Sequence, residues 1–474
     1  MISSDILNNS DIIFGTSGAR GLATDFTTEV CQAFTHSFVD VMLRKYQFSK
    51  FALGIDNRPE SEIIARRCGA ALSQYGIEVI YCGVLPTPAL AFYSIELEIP
   101  CIMVTGSHIP FDRNGLKFYT PEGEISKADE ANILNNNKNF IPLPPLPYLL
   151  KTNAASERYI SRYTDFLPFG ILKDKTIGIY EHSSAGRDIY PEIFIRLGAN
   201  VFSLERSDNF VPIDTEAVSP SDIQKGKKWA SLYDFDAIFS TDGDGDRPLV
   251  ADENGEWLRG DMLGLLCAEE LNINKLAIPV SCTTAVELSG KFEKVSRTKI
   301  GSPFVIEELC SLRDQKSRIA GFEANGGFLL GSDVHYKGGY LHSLYTRDAV
   351  LPALMLLVAS REISISKLLA KLPSRYTSSD RIKDFPTDIS LAIISMALAN
   401  TQDFINELGF PELLVTKVDV TDGLRIILKN NDILHLRPSG NAPELRCYAE
   451  SDDANAAAFY VSHTLAYFKK LYLK

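Results

Sequence analysis

The sequence predicts an α/β protein: three consecutive α/β domains followed by a smaller C-terminal α+β domain. Three observations carry that expectation. A chain of 474 residues is too long for one core, since domains usually hold ~100–200 residues. Short apolar runs alternate with segments of helical period over most of its length. Towards the C-terminus the rhythm changes to closely spaced strands joined by tight turns.

The first domain is placed at residues 1–150. Its strands are read at "FALGID", "IEVIYCG" and "PCIMVTGS", and its helix over Glu60 to Tyr75, where Ile63, Ile64, Cys68, Ala71, Leu72 and Tyr75 recur at helical spacing. The Asn- and Pro-rich stretch "NNNKNFIPLPPLPYLLKTNAAS" reads as a linker. The second domain, residues 151–256, opens with the strand "KTIGIYEHSSAG" and continues through "DAIFSTDGDGDRPLVADENGEWL", with a hairpin turn at Glu253-Asn254-Gly255. The third, residues 257–372, has strands at "KLAIPVS" and "RIAGFEANGGFLLG" and a helix over Asp348 to Ser360. In the last, residues 373–474, "PELLVTKVDVTDGLRIILKNNDILHLRPSG" gives three strands with turns at Asp422-Gly423 and Asn430-Asn431, and a helix follows from Ala454.

Hydrophobic residues at 45% and charged residues at 23% suit a folded chain. A net charge of -12 argues against nucleic acid or an anionic membrane as partner, because each demands a basic field. A small anionic ligand remains open, and it would need local clusters of Arg and Lys. Eight cysteines without a C-x-x-C pair fit reduced thiols in a reducing compartment. The N-terminus lacks a basic segment followed by an apolar one. The longest apolar run, Ala349 to Ala359, contains Pro352 and falls short of the ~20 residues of a membrane helix. A cytoplasmic location is expected; the oligomeric state is not indicated.

Four loops carry chemistry. In "CIMVTGSHIP" an apolar strand runs into Thr105-Gly106-Ser107-His108, which sets Ser107 at a strand end, where α/β proteins gather ligands. Ser107 reads either as a nucleophile or phosphate carrier, or as the cap of a turn. Side chains adjacent in sequence diverge, so Ser107 and His108 do not form a catalytic dyad. In "STDGDGDRPLV", Asp242, Asp244 and Asp246 alternate with glycines. Three carboxylates so close repel one another unless a cation joins them, and hard oxygen donors select Mg²⁺ or Ca²⁺. An EF-hand is excluded, because Arg247 stands where that loop needs glycine. In "GFEANGGFLLG" the single carboxylate of Glu323 suits two sugar hydroxyls, or simply a strand turn. In "RPSGNAPELR", Arg437, Ser439, Gly440, Asn441 and Arg446 form either a phosphate cradle of backbone N–H groups and guanidinium forks or a surface turn.

In this order and spacing the loops resemble those of the α-D-phosphohexomutases, over nearly the whole chain. The resemblance implies mixed sheets, an active site in a central cleft, and interconversion of hexose 6- and 1-phosphates through a phosphoserine and a hexose 1,6-bisphosphate. Mannose phosphates are expected first, with glucose and glucosamine phosphates as alternatives. It further implies that Ser107 carries the phosphoryl group and joins Asp242, Asp244 and Asp246 around Mg²⁺, with Arg247 beside them. Glu323 and Asn325 would bind sugar hydroxyls, and Arg437, Ser439, Gly440, Asn441 and Arg446 the non-reacting phosphate. "FGTSGARG" points to Arg20, which with His108 and Lys117 is a candidate for proton transfer or phosphate positioning; "RTKIGSPFV" points to Gly301 and Ser302 at the sugar. Two departures stand out: Asn325 replaces the usual serine of the sugar loop, and Gly327 a common histidine. A phosphatase using Asp242 and Asp244, or a phosphosugar-binding protein without turnover, are the rival classes.

Overall fold

A computed structural model describes residues 1–15, 18–439 and 443–472. Its first sheet is mixed. Lys50–Ile55 pairs in parallel with Glu78–Val84 and Cys101–Val104, and Cys101–Val104 pairs antiparallel with Arg113–Thr120. The central strands are buried on both faces, which is why they read as continuous apolar runs rather than as an alternation. The expected helix forms over Ser61–Ser73 and turns Ile64, Cys68, Ala71 and Leu72 inward. The Asn- and Pro-rich stretch is non-helical until Ala154, where the helix Ala154–Thr164 begins, yet it is pinned: Gln32 donates to the Ile141 carbonyl and Arg66 to that of Pro147.

The second sheet joins Thr176–His182 in parallel to Asn200–Arg206 and Ala237–Thr241, with Pro248–Ala251 returning antiparallel. The third joins Lys275–Pro279 in parallel to Lys294–Thr298 and Ile319–Phe322, and Phe328–Leu330 and Leu344–Asp348 complete it antiparallel. The same device therefore occurs three times: a parallel strand ends, a loop carries the chemistry, and an antiparallel strand returns beside it. These loops follow Val104, Thr241 and Phe322, each at a C-terminal strand end, where open α/β sheets bind ligands.

The C-terminal domain is a five-stranded antiparallel sheet in which Tyr376–Lys383 and Glu444–Ser451 join the three strands read from the sequence. Its own apolar cluster lies under Ala454–Tyr472, whereas one continuous apolar cluster runs through the first three domains. Among the described residues no helix is long and apolar enough to cross a membrane.

Candidate active site

Ser107 is buried and held at a positive φ of 57°, a conformation that costs a non-glycine residue roughly 1–2 kcal/mol. The surrounding bonds enforce it. The Ser107 amide donates to Thr105 Oγ1 at 2.8 Å, and Thr105 Oγ1 donates to Asp56 Oδ2 at 2.6 Å. Arg58, paired with Asp56 at 3.2 Å, donates to the carbonyls of Ser107, Ile109, Pro110 and Arg113. Its guanidinium lies 4.0 Å from the Phe210 ring centroid, and only the lack of a side chain at Gly106 admits it, since a Cβ there would sit 2.8 Å away. Ser107 Oγ donates to Asp242 Oδ2 at 2.6 Å.

Gly243 brings the aspartate loop against the serine loop: a Cβ at this position would meet the Ser107 carbonyl at 2.8 Å. Asp242, Asp244 and Asp246 are all buried, and one ligand atom of each lies within 4.8 Å of the others. Asp244 Oδ2 accepts from Thr87 Oγ1 at 2.6 Å and from Lys117 Nζ at 2.6 Å. Asp246 Oδ2 accepts from Lys117 Nζ at 2.7 Å and from Arg347 Nε and Nη2 at 3.0 and 2.8 Å. Asp244 Oδ1 and Asp246 Oδ1 have no hydrogen-bond partner. Two orphaned carboxylate oxygens in a buried hard-oxygen cluster fit a divalent cation such as Mg²⁺.

Charge here is finely divided. Burial, and then the neighbouring Asp244 and Asp246, push the Asp242 carboxyl well up. Burial also opposes ionisation of Asp244 and Asp246, but Lys117 holds the first below the usual carboxylate range and Arg347 the second. Burial and the adjacent Arg247 lower the Arg20 guanidinium to about 10. Burial, Arg247 and Arg20 push His108 well down, and Arg247 Nη1 donates to His108 Nδ1 at 2.8 Å. An acceptor Nδ1 makes the ring the neutral Nε2–H tautomer. His108 Nδ1 is 3.4 Å from Ser107 Oγ.

In the third domain Glu323 Oε2 accepts from Arg347 Nη1 at 3.0 Å. Asn325 braces its own turn: its Oδ1 accepts from the Gly327 amide at 3.0 Å, and its carbonyl from Thr215 Oγ1 at 2.8 Å. Gly301, at φ 133°, precedes the helix Ser302–Leu312, and Ser302 Oγ is engaged with Glu124 Oε2 at 2.8 Å. In the last domain Arg437 and Arg446 are cross-strand partners. Arg437 Nε meets Asp422 Oδ2 at 2.8 Å, and Asp422 also accepts the Ile300 amide at 2.9 Å, tying the cradle to the loop before Gly301. Ser439 is described; Gly440 and Asn441 lie outside the described residues.

The structure thus brings Ser107, His108, Lys117, the three aspartates, Arg247 and Glu323 into one network, with Arg20 among their charges. Arg437 and Arg446 stand apart from it, with the half-buried Glu216 feeling both Arg247 and Arg446. Sequence reading missed Arg58, Thr87, Asp422 and Arg347. The signals for two of them were a charged "DNR" holding Arg58 at the end of the strand beside that of Ser107, and the single arginine, Arg347, in the stretch "LYTRDAV"; Thr87 and Asp422 carried none.

Models of the four phosphoglucomutase/phosphomannomutase domains match in order. The three alpha/beta/alpha domains match residues 11–140, 157–255 and 259–376, and the C-terminal domain residues 397–463. The chain is 56% identical over 465 residues to a phosphomannomutase of Salmonella muenchen, covering 98% of this chain and 97% of that one. It is 41% identical to a phosphomannomutase of Sinorhizobium fredii, over 96% of this chain and 98% of the relative. A phosphoglucomutase/phosphomannomutase family protein of Burkholderia thailandensis shares the fold with a TM-score of 0.74 at 19% identity, covering 99% of this chain and 98% of the other. The chain belongs to the phosphoglucomutase/phosphomannomutase family.

Proposed function

We propose that the protein interconverts hexose 6-phosphates and hexose 1-phosphates, with mannose phosphates preferred, by passing a phosphoryl group between Ser107 and the sugar through a hexose 1,6-bisphosphate. The observation that carries this reading is the seating of Ser107: a buried hydroxyl at a strand end, locked in a left-handed backbone and donating to Asp242 beside two orphaned carboxylate oxygens. That arrangement suits a serine that alternates between phosphorylated and free forms.

In the first half-reaction the phosphoserine P–Oγ bond breaks as the free O1 or O6 of the sugar bonds to phosphorus. The attacking hydroxyl gives up its proton and Ser107 Oγ gains one, so the exchange balances and the free seryl hydroxyl rests against Asp242 Oδ2. After the bisphosphate turns over in the cleft, its other phosphate returns to Ser107. Mg²⁺ held by Asp242, Asp244, Asp246 and the seryl phosphate would neutralise charge on the transferring group. Arg20 and Lys117 act as positioning cations, because an ammonium already donating to Asp244 and Asp246 has no lone pair with which to take a proton. His108, neutral with its Nδ1 occupied by Arg247, offers only an Nε2–H donor. Arg247, Gly301, Ser302, Glu323 and Asn325 face the sugar. Arg437, Ser439, Gly440, Asn441 and Arg446 hold the phosphate that does not react.

The test is a coupled assay of both directions with mannose, glucose and glucosamine monophosphates, with Mg²⁺ and with excess EDTA. Mannose phosphates should give the highest kcat/KM, glucose phosphates a lower one, and EDTA should abolish turnover. Release of inorganic phosphate without isomerisation would overturn the reading in favour of a phosphatase.

A further inference from the structure

Arg347 sits on Leu344–Asp348 with its side chain 2% exposed, and its guanidinium spans two loops from different domains. Two of its nitrogens hold Asp246 Oδ2, and the third holds Glu323 Oε2 at 3.0 Å. On each carboxylate it takes one oxygen and leaves the other. Asp246 Oδ1 accepts no hydrogen bond, although Arg247 Nε lies 3.6 Å from it, and on Glu323 the arginine contacts Oε2 and not Oε1. A fixed oxygen aims its twin, because a carboxylate held at one end cannot rotate the other away.

The seat for this arginine is made by a missing side chain. A Cβ on Gly327 would lie 2.5 Å from Arg347 Cδ and 2.7 Å from its Cγ, closer than atoms can approach. Gly327 leaves the sugar loop beside Glu323, so any larger residue there would push the arginine stem off its path. Because the contacted atoms belong to a stem packed in a full interior, the arginine has little room to yield.

We infer that Arg347, seated by Gly327, is a positioning residue that couples the metal carboxylate Asp246 to the sugar carboxylate Glu323, so that the cation and the sugar hydroxyls are set at one fixed separation. This rests on the reading of the Asp cluster and Glu323 as metal and sugar sites. It adds a rule: loss of Arg347 damages both sites at once, and part of its effect on sugar binding passes through Glu323. A lysine at 347 keeps the charge but lacks the fork that reaches two carboxylates, so it should protect the metal site better than the sugar site.

The experiment measures binding by calorimetry without turnover, with Mn²⁺ alone as one probe and mannose 1-phosphate as the other. The proteins are wild type, Arg347→Met, Arg347→Lys, Gly327→Ala, Glu323→Gln and the double variant Arg347→Met/Glu323→Gln, with thermal melts reporting folding. Arg347→Met and Gly327→Ala should each weaken both ligands by about 10-fold or more. Arg347→Lys should restore Mn²⁺ affinity more fully than sugar affinity. In the Glu323→Gln background, Arg347→Met should cost distinctly less sugar affinity than it does alone. Wild type that binds both probes while folded Arg347→Lys and Gly327→Ala bind them equally well, or strict additivity in the double variant, would overturn the inference alone. Wild type that binds neither probe would overturn the site reading and the inference with it.

Discussion

Arg58 holds the Ser107 loop from a neighbouring strand end. Its guanidinium ties down four carbonyls of that loop while neutralising the buried Asp56, whose carboxyl burial pushes up even though Arg58 opposes it. Truncating one partner of a buried pair leaves the other charge uncompensated, typically costing about 3–5 kcal/mol. Arg58→Ala should therefore lower the denaturant midpoint sharply and reduce kcat more than it raises KM, as read by urea unfolding and steady-state kinetics. Ser107 and the three aspartates were legible in the sequence because the pattern around them is local, glycines standing beside the serine and between the carboxylates within a few positions, although Ser107 Oγ bonds to Asp242, and Asp244 and Asp246 to Lys117, across more than 100 positions. Arg58 and Arg347 were not. Arg58 acts on carbonyls 49 to 55 positions away and Arg347 on a carboxylate 101 positions away, and no local pattern encodes such pairings.

At the scale of elements, the repeated strand, loop and return strand places all three loops, and in the first and third sheets the return strand or its neighbour adds a cation: Lys117 opposite Met103, and Arg347 one strand beyond Phe328. The buried parallel strands were readable as apolar runs. The edge strand Tyr376–Lys383 was not, because only Ile382 in "YTSSDRIK" is buried and its eight-residue pairing with Glu444–Ser451 is a long-range event. One strand also carries a pH dependence. His182, at the end of Thr176–His182, is buried, donates from Nε2 to the Thr241 carbonyl at 2.9 Å just before the aspartate loop, and leaves Nδ1 without a partner. Burial lowers it to about 4. Its unfolded form binds a proton near pH 6.5, so its contribution is fully present above that pH and is lost as pH falls towards 4. At pH 5 the loss amounts to about 2 kcal/mol. Thermal melts of wild type and His182→Gln between pH 7 and 5 should show the steeper decline in wild type; equal slopes would refute it.

Across the whole molecule, the first three domains share a continuous apolar cluster, whereas the last is docked partly through polar contacts. Glu450 Oε1 accepts from Thr283 Oγ1, from the Thr284 amide and Oγ1, and from Arg375 Nε in the connecting segment. Glu450→Ala would strand the buried Arg375 and loosen the domain that carries Arg437 and Arg446. Faster proteolysis near Arg375 and a raised KM with a smaller change in kcat are expected; unchanged proteolysis and KM would show that the docking rests elsewhere. In the proposed function that domain holds the idle phosphate while Ser107 exchanges the other, and the chemistry therefore stands on Ser107 returning its phosphoryl group to sugar rather than to water. The most direct test labels Ser107 with ³²P by incubation with labelled hexose bisphosphate, confirms the site by peptide mass, removes free label and adds unlabelled mannose 6-phosphate. The label should leave Ser107 and appear in hexose bisphosphate and monophosphate. Label appearing only as inorganic phosphate, or full activity in a Ser107→Ala protein that takes up none, would contradict the account.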